Sequence, residues 1–300
     1  MHFDLAACET LGIVGESGCG KSTLARALVG LQPATSGAVL LDGSDVTRLD
    51  AAGRRRIRRD IQLVFQDPLA SLDPRMTVGQ SIAKPLLNLC PELNALERWK
   101  RVLSMLKRVG LKPEHAQRYP HEFSGGQCQR IGIARALVVK PRVLVCDEPV
   151  SALDMSIRAQ IIELLMELQR EMGLAMIFIA HDLAVVRQIS HKVIVMYLGK
   201  VMEQAPVDDL FDQPHHPYTK ALISAVPVPD PHIERTRTRI ILDGELPSPA
   251  EPPSGCLFRT RCHFAHDRCS RDVPNLRLIK LTRSGVACHY AEEIARAGDL

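Results

Sequence analysis

The chain of 300 residues has no apolar run near the roughly 18 residues a membrane-spanning helix needs. Any work at a bilayer would therefore be done from a partner's surface. The first twenty residues lack a basic stretch followed by an apolar one, which argues against a secretory signal. Aromatics are scarce, at 4% with a single Trp, and they do not cluster among basic residues. The net charge is a mild +4, and together these disfavour a dedicated nucleic-acid binder. The densest basic run, GRRRIRRD from Gly53 to Asp60, reads as a solvated surface. There is no internal repeat and no low-complexity tract. Five of the nine cysteines (Cys8, Cys19, Cys90, Cys128 and Cys146) stand singly, as buried small apolar residues of a reducing cytosol would.

At 46% hydrophobic and 24% charged, the composition is that of a globular protein large enough for a real core. Short apolar runs at 9–15, 142–148, 175–181 and 192–199 predict strands buried on both faces of a parallel sheet. Helical spacing follows the first run from Lys21. It returns at Ile157, Ile161, Leu164, Leu168 and Met172, where Gly173 stops it. Alternating strands and helices predict an α/β core. Residues 73–138 lack strand-like runs and read as an inserted helical subdomain. From Pro206 onward eleven of the 20 prolines fall in the last 95 residues, which predicts a loop-rich segment with little regular core of its own.

GESGCGKST, from Gly15 to Thr23, fits G-x-x-x-x-G-K-[ST] after a strand and at the opening of a helix. Its glycines let backbone N–H groups turn inward on phosphates, and the helix N-terminus adds partial positive charge. Gly15, Glu16, Ser17, Gly18, Cys19, Gly20, Lys21, Ser22 and Thr23 are the candidate phosphate loop. Lys21 would reach the β- and γ-phosphates and Ser22 would offer a hydroxyl to Mg²⁺. VLVCDE ends a buried strand in Asp147, a candidate Mg²⁺ holder through water. Glu148 follows, placed to activate the water that attacks the γ-phosphate. These two motifs establish a P-loop NTPase. FSGGQCQR, from Phe123 to Arg130, offers a hydroxyl and bare amides at a helix start, a second anion site that one chain does not need for its own nucleotide.

With that stretch the chain resembles the ATPase subunit of an ATP-binding cassette (ABC) transporter, whose signature is SGGQ. Gln66 in VFQDP matches that family's Q-loop, SALD (151–154) its D-loop and His181 in IAHD its switch histidine. The resemblance implies a RecA-like core over residues 1–205 and an extension over 206–300. It implies ATP and Mg²⁺ as cofactors, with Glu148, His181 and Gln66 as the catalytic set. Ser124, Gly125, Gly126, Gln127 and Asp154 would border nucleotide in a head-to-tail ATPase dimer, and Ser22, Gln66 and Asp147 would attend the metal. Soluble ABC ATPases of DNA repair or translation share these motifs. Repair members insert long coiled coils, for which the 101 residues between Ser22 and Ser124 leave no room; translation members carry two cassettes.

HHPYTKALISAVPVPDP (215–231) and GELPSPAEPPSGC (244–256) resemble the C-terminal extension of dipeptide and oligopeptide importer ATPases, nearest the F-type subunit. That resemblance implies a sister ATPase subunit, two membrane permease subunits and, indirectly, an extracytoplasmic substrate-binding protein. It places the chain at the cytoplasmic face of the plasma membrane, with no nucleic acid partner. Related importers carry dipeptides, oligopeptides, glutathione or nickel chelates. Fourteen residues precede the phosphate loop where the family has roughly forty, so no adenine-stacking aromatic is assigned and marginal folding is expected. Cys8 stands where the family has a turn glycine, and Cys128 where it has a basic residue. Cys256, Cys262, Cys269 and Cys288 lack the close pairing that structural zinc favours. The matching cysteines of the extension resemble a [4Fe–4S] site, which would staple a loop-rich segment.

Overall fold

A computed structural model describes residues 1–47, 49–227, 230, 232, 235, 239–280 and 282–296. In chain order its elements are β1 (Thr10–Val14), α1 (Lys21–Leu28), β2 (Leu40–Leu41), β3 (Ser44–Asp45), α2 (Ala51–Asp60) and β4 (Ile61–Val64). Then come α3 (Val78–Leu89), α4 (Ala95–Arg108), α5 (Gly125–Leu137), β5 (Val143–Asp147), α6 (Met155–Met172), β6 (Ala175–Ile179) and α7 (Leu183–Ile189). The chain continues through β7 (Lys192–Tyr197), β8 (Lys200–Pro206), α8 (Val207–Asp212) and α9 (Pro217–Ser224). It closes with α10 (Asp267–Arg271), β9 (Arg277–Leu278), β10 (Gly285–Val286) and α11 (Ala291–Arg296). The result is a mixed α/β fold in which β4, β5 and β6 pair in parallel, as do β1 and β7, while β8 pairs antiparallel. The chain divides into a central unit, Leu5–Glu9 with Ser22–Ile179, and a terminal unit, Met1–Asp4 with Thr10–Lys21 and Ala180–Leu300.

In the central unit β4, β5 and β6 pair in parallel, with Ile61 opposite Val143 and Val143 opposite Ala175. β5 and β6 are buried along nearly all their length, which is why they read as almost unbroken apolar runs. Residues 73–138 carry helices and turns without a strand. Capping boxes start α3 (Thr77 with Gln80) and α4 (Asn94 with Glu97). The basic run forms helix α2 with Arg54, Arg55, Arg56 and Arg58 exposed, the solvated surface expected of it, and the helix is started by Asp50, whose carboxylate accepts from the Gly53 N–H at 2.7 Å. Cys8 is exposed, against the expectation of burial, and it holds the left-handed turn conformation at φ 59°. That backbone is the one a glycine would adopt freely, and a cysteine there costs on the order of 1 kcal/mol.

In the terminal unit β1 pairs in parallel with β7, Leu11 opposite Lys192, and β7 pairs antiparallel with β8. The segment after Pro206 is more regular than its prolines predict. β10 adds antiparallel to β8, with Gly285 opposite Gln204, and β9 adds to β10. Ile279, Val286 and Ala291 form a small core against which Cys288 packs. The physical reason is that β8 offers a ready edge, so a two-residue strand can order without a sheet of its own.

Candidate nucleotide site

The phosphate loop from Gly15 to Lys21 lies in the terminal unit. β1 stops at Val14 and α1 begins at Lys21, leaving a turn in which Gly15, Gly18 and Gly20 have φ of 156°, 80° and 100°. Lys21 is buried, and its ammonium donates to the carbonyls of Gly15 (2.8 Å) and Glu16 (3.0 Å). Ser17 and Gly18 are exposed at the tip, while Cys19 is buried and burial pushes its thiol pKa up. His181 is exposed immediately before Asp182, whose carboxylate caps α7 by accepting from the Ala184 N–H at 2.9 Å.

Ser22, Thr23, Gln66, Asp147 and Glu148 lie in the central unit. The Ser22 hydroxyl donates to Asp147 Oδ1 at 3.0 Å, joining the start of α1 to the end of β5; Thr23 beside it is exposed. Glu148 follows at φ 47°, a left-handed conformation that costs a non-glycine residue about 1–2 kcal/mol. Its backbone N–H donates to the Ile179 carbonyl (3.0 Å), and its carboxylate accepts from the Gln66 amide (3.3 Å). A cavity of about 510 Å³ lies here, lined by Gln66, Asp147, Phe65, Pro85 and Arg135 among others. Ser22, Gln66 and Asp147 carry hard oxygen donors, the chemistry that suits Mg²⁺ completed by phosphate and water oxygens.

SGGQ opens α5 as expected. Ser124 is the N-cap, with its hydroxyl accepting from Gln127 N–H (3.4 Å) and the Gln127 side chain accepting from Ser124 N–H (3.1 Å). Ser124 and Gly125 are exposed, so the anion-binding end of α5 faces outward. Gly126 is buried, and a Cβ there would sit 2.4 Å from Ile157 Cγ2 on α6, so only glycine permits this approach. Cys128 is fully buried with its sulfur 3.6 Å from the Pro120 carbonyl, packing as a small apolar residue. Asp154 is exposed at the start of α6 and makes no side-chain cap bond.

Sequence reasoning did not find the part of the site built by the extension. Glu203 is wholly buried, and its two carboxylate oxygens accept from the N–H groups of His215 (2.8 Å) and His216 (2.9 Å). Burial pushes the Glu203 pKa up to about 6. Burial pushes His216 down to about 3, and its neutral ring accepts from Tyr218 N–H at 3.0 Å as the N-cap of α9. Tyr218 is buried against Tyr197 and Phe258, with ring centroids 4.9 and 5.3 Å away. The Tyr218 hydroxyl accepts from the Glu16 N–H at 3.0 Å, and Arg261 pairs with the Glu16 carboxylate at 2.7 Å. The HHPY stretch was legible only as a motif, since its partners lie up to 202 residues away.

The ABC transporter family profile matches residues 1–151, and the profile of the oligopeptide/dipeptide transporter C-terminal region matches residues 202–269. The chain is 59% identical over 268 residues to the oligopeptide transport ATP-binding protein OppF of Salmonella typhimurium, covering 89% of this chain and 80% of that protein. The chain is an ABC transporter ATPase of the oligopeptide/dipeptide importer family. It is also 52% identical to the di/tripeptide transport ATP-binding protein DppF of Pseudomonas aeruginosa over 98% of this chain and 89% of that one. Among solved structures it is similar to the dimeric ATP-binding cassette MJ0796 in a post-hydrolysis state bound to ADP and Pi. That match has a TM-score of 0.62 and 33% identity, over 68% of this chain and 88% of that one. In this ABC ATPase no described helix is long and apolar enough to cross a membrane.

Among the described residues no three or more His, Cys, Asp or Glu side chains are grouped so that they could hold a single metal ion. Cys256, Cys262, Cys269 and Cys288 are free thiols. They nonetheless feel one another: after burial, the charges of Cys288, Cys256 and Cys269 help push Cys262 up to about 12. Cys288 is pushed up to about 11, mainly by burial and then by Cys256 and Cys269.

Proposed function

We propose that this chain binds and hydrolyses MgATP to power import of dipeptides, oligopeptides or chemically related small cargo through a membrane ABC transporter. The observation that carries this reading is the Ser22–Asp147 hydrogen bond, which joins the end of the phosphate loop to an acidic strand end 125 residues away. The phosphate loop from Gly15 to Thr23 would cradle the phosphates, with Lys21 leaving its resting carbonyls for the β- and γ-phosphates. Ser22, Asp147 and Gln66 would hold Mg²⁺, which supplies neutralisation of the phosphate charge. Glu148, its side chain aimed by Gln66, would accept a proton from the attacking water, and His181 would hold the γ-phosphate in line. The helix start formed by the exposed Ser124 and Gly125 with Gly126 and Gln127 behind them fits, with Asp154, a role at a neighbouring chain's nucleotide. Pairing with a sister ATPase subunit would then complete each site and exclude water. Docking on two permease subunits would place the chain peripherally at the cytoplasmic face of the membrane, with a substrate-binding protein acting on the far side.

The Glu148→Gln variant tests this. Removing a general base costs about 10²–10⁴-fold in turnover while the binding groups remain, so ATP-bound dimers should accumulate on gel filtration. Retention of most turnover would refute the role of Glu148.

We propose also that the four thiols of the extension take up a [4Fe–4S] cluster. The Cys256 N–H donates to the Cys269 carbonyl at 2.8 Å, which supports it by bringing two of the four residues together, and four thiolates bound to four different irons need not crowd as ligands of one ion do. Anaerobically purified protein should be brown, with broad absorbance near 400 nm and about four irons and four sulfides per chain. Zinc without acid-labile sulfide, in protein never exposed to air, would sink the idea.

A further inference from the structure

We infer that Arg261 and Tyr218 of the extension are positioning residues for ATP, acting on the phosphate loop through Glu16. This rests on the reading of Gly15 to Thr23 as the phosphate loop. The peptide unit between Gly15 and Glu16 is gripped at both ends. Its carbonyl, that of Gly15, accepts from Lys21 at 2.8 Å, and its N–H, that of Glu16, donates to the Tyr218 hydroxyl at 3.0 Å. Tyr218 thereby fixes the plane of the peptide on which the phosphate-seeking ammonium rests. The next carbonyl, that of Glu16, accepts from Lys21 as well, at 3.0 Å.

The side chain of Glu16 adds an electrostatic requirement. It is the one acidic group in the loop, and an uncompensated carboxylate beside a polyphosphate site repels the ligand. Arg261 compensates it at 2.7 Å, with the guanidinium side chain only 9% exposed, so solvent screens the pair weakly. Both partners are held from behind. Tyr218 packs in the ring cluster with Tyr197 and Phe258, and the Arg261 N–H donates to the Phe258 carbonyl at 3.0 Å. The extension is thus a brace on the ATP site, and loosening it weakens nucleotide binding without touching the catalytic carboxylate.

The test is equilibrium binding of MgATP to the full chain, with melting temperature recorded for each variant. Arg261→Ala should raise Kd about tenfold, equivalent to about 1.4 kcal/mol, and Tyr218→Phe about threefold through one lost hydrogen bond. The double variant Glu16→Gln, Arg261→Ala should return to within about twofold of the parent, because the uncompensated charge is gone. Lys21→Ala should abolish binding; if it does not, the reading of the phosphate loop fails, whatever Arg261 does. With Lys21→Ala inactive, an Arg261→Ala chain that binds MgATP normally overturns the inference. A loss that Glu16→Gln does not relieve, accompanied by a lower melting temperature, makes Arg261 a mere staple and overturns it equally. Should Arg261→Ala fail to fold, Arg261→Lys and Tyr218→Phe decide, and unchanged Kd in both refutes the proposal.

Discussion

His216 makes the stability of the extension depend on pH in a way that can be worked out. Its ring is buried and neutral, with a pKa of about 3 against an ordinary 6.5. The unfolded chain therefore binds a proton first as pH falls, so the stability His216 contributes is complete above 6.5 and is lost on the way down to about 3. Each unit is worth 1.36 kcal/mol, so between pH 6.5 and 4.5 the loss is about 2.7 kcal/mol. Glu203 works in the opposite direction. Its folded pKa of about 6 lies above the ordinary 4.5, so its contribution is present below 4.5 and lost as pH rises through 6. Over that window it returns about 2 kcal/mol on acidification. The two nearly offset each other down to pH 4.5, below which only His216 continues to destabilise. His216→Asn keeps an N-cap acceptor for Tyr218 N–H and removes the titration. Relative to the parent, the variant should gain about 2.7 kcal/mol between pH 7 and 4.5. With an unfolding entropy of about 2.1 cal/mol/K per residue over 300 residues, that is roughly 4 °C in melting temperature. Glu203→Gln should show the reverse, a melting temperature that falls from pH 6.5 without the compensating plateau. Parallel melting curves for His216→Asn and the parent across this range would refute the assignment of a buried neutral ring.

Two further outcomes follow from packing. Gly126→Ala should destabilise the chain by about 1–3 kcal/mol and depress turnover, since its Cβ would lie 2.4 Å from the stiff, β-branched Ile157; normal melting and ATPase rates would show that α5 and α6 do not pack this closely. Phe258→Ala removes a ring only 1% exposed from the Tyr197–Tyr218–His216 cluster and should cost about 3–5 kcal/mol. Hydrogen exchange should then accelerate in residues 256–290 before it does in β5 or β6; a uniform change would show that the cluster does not anchor the extension.

Much of the candidate site could be read directly from the order of residues, because its parts are local. A glycine turn between a strand and a helix is written in nine consecutive residues, Gly15 to Thr23. The acidic strand end and the SGGQ helix start are as compact, since a cap or a strand terminus depends on neighbours within a few positions. The sequence also showed that α6 stops at Gly173 and that four apolar runs are strands. It could not show that the two-residue β10 would pair with β8, because so short a strand has no period and gains order only from an existing edge. Nor could it show that Glu203 would bury its carboxylate to hold His215 and His216, or that Tyr218 and Arg261 would close on Glu16 across 202 and 245 residues. Those contacts depend on which surfaces the folded sheet brings face to face, and burial, which sets the pKa values of His216 and Glu203, exists only once it has done so.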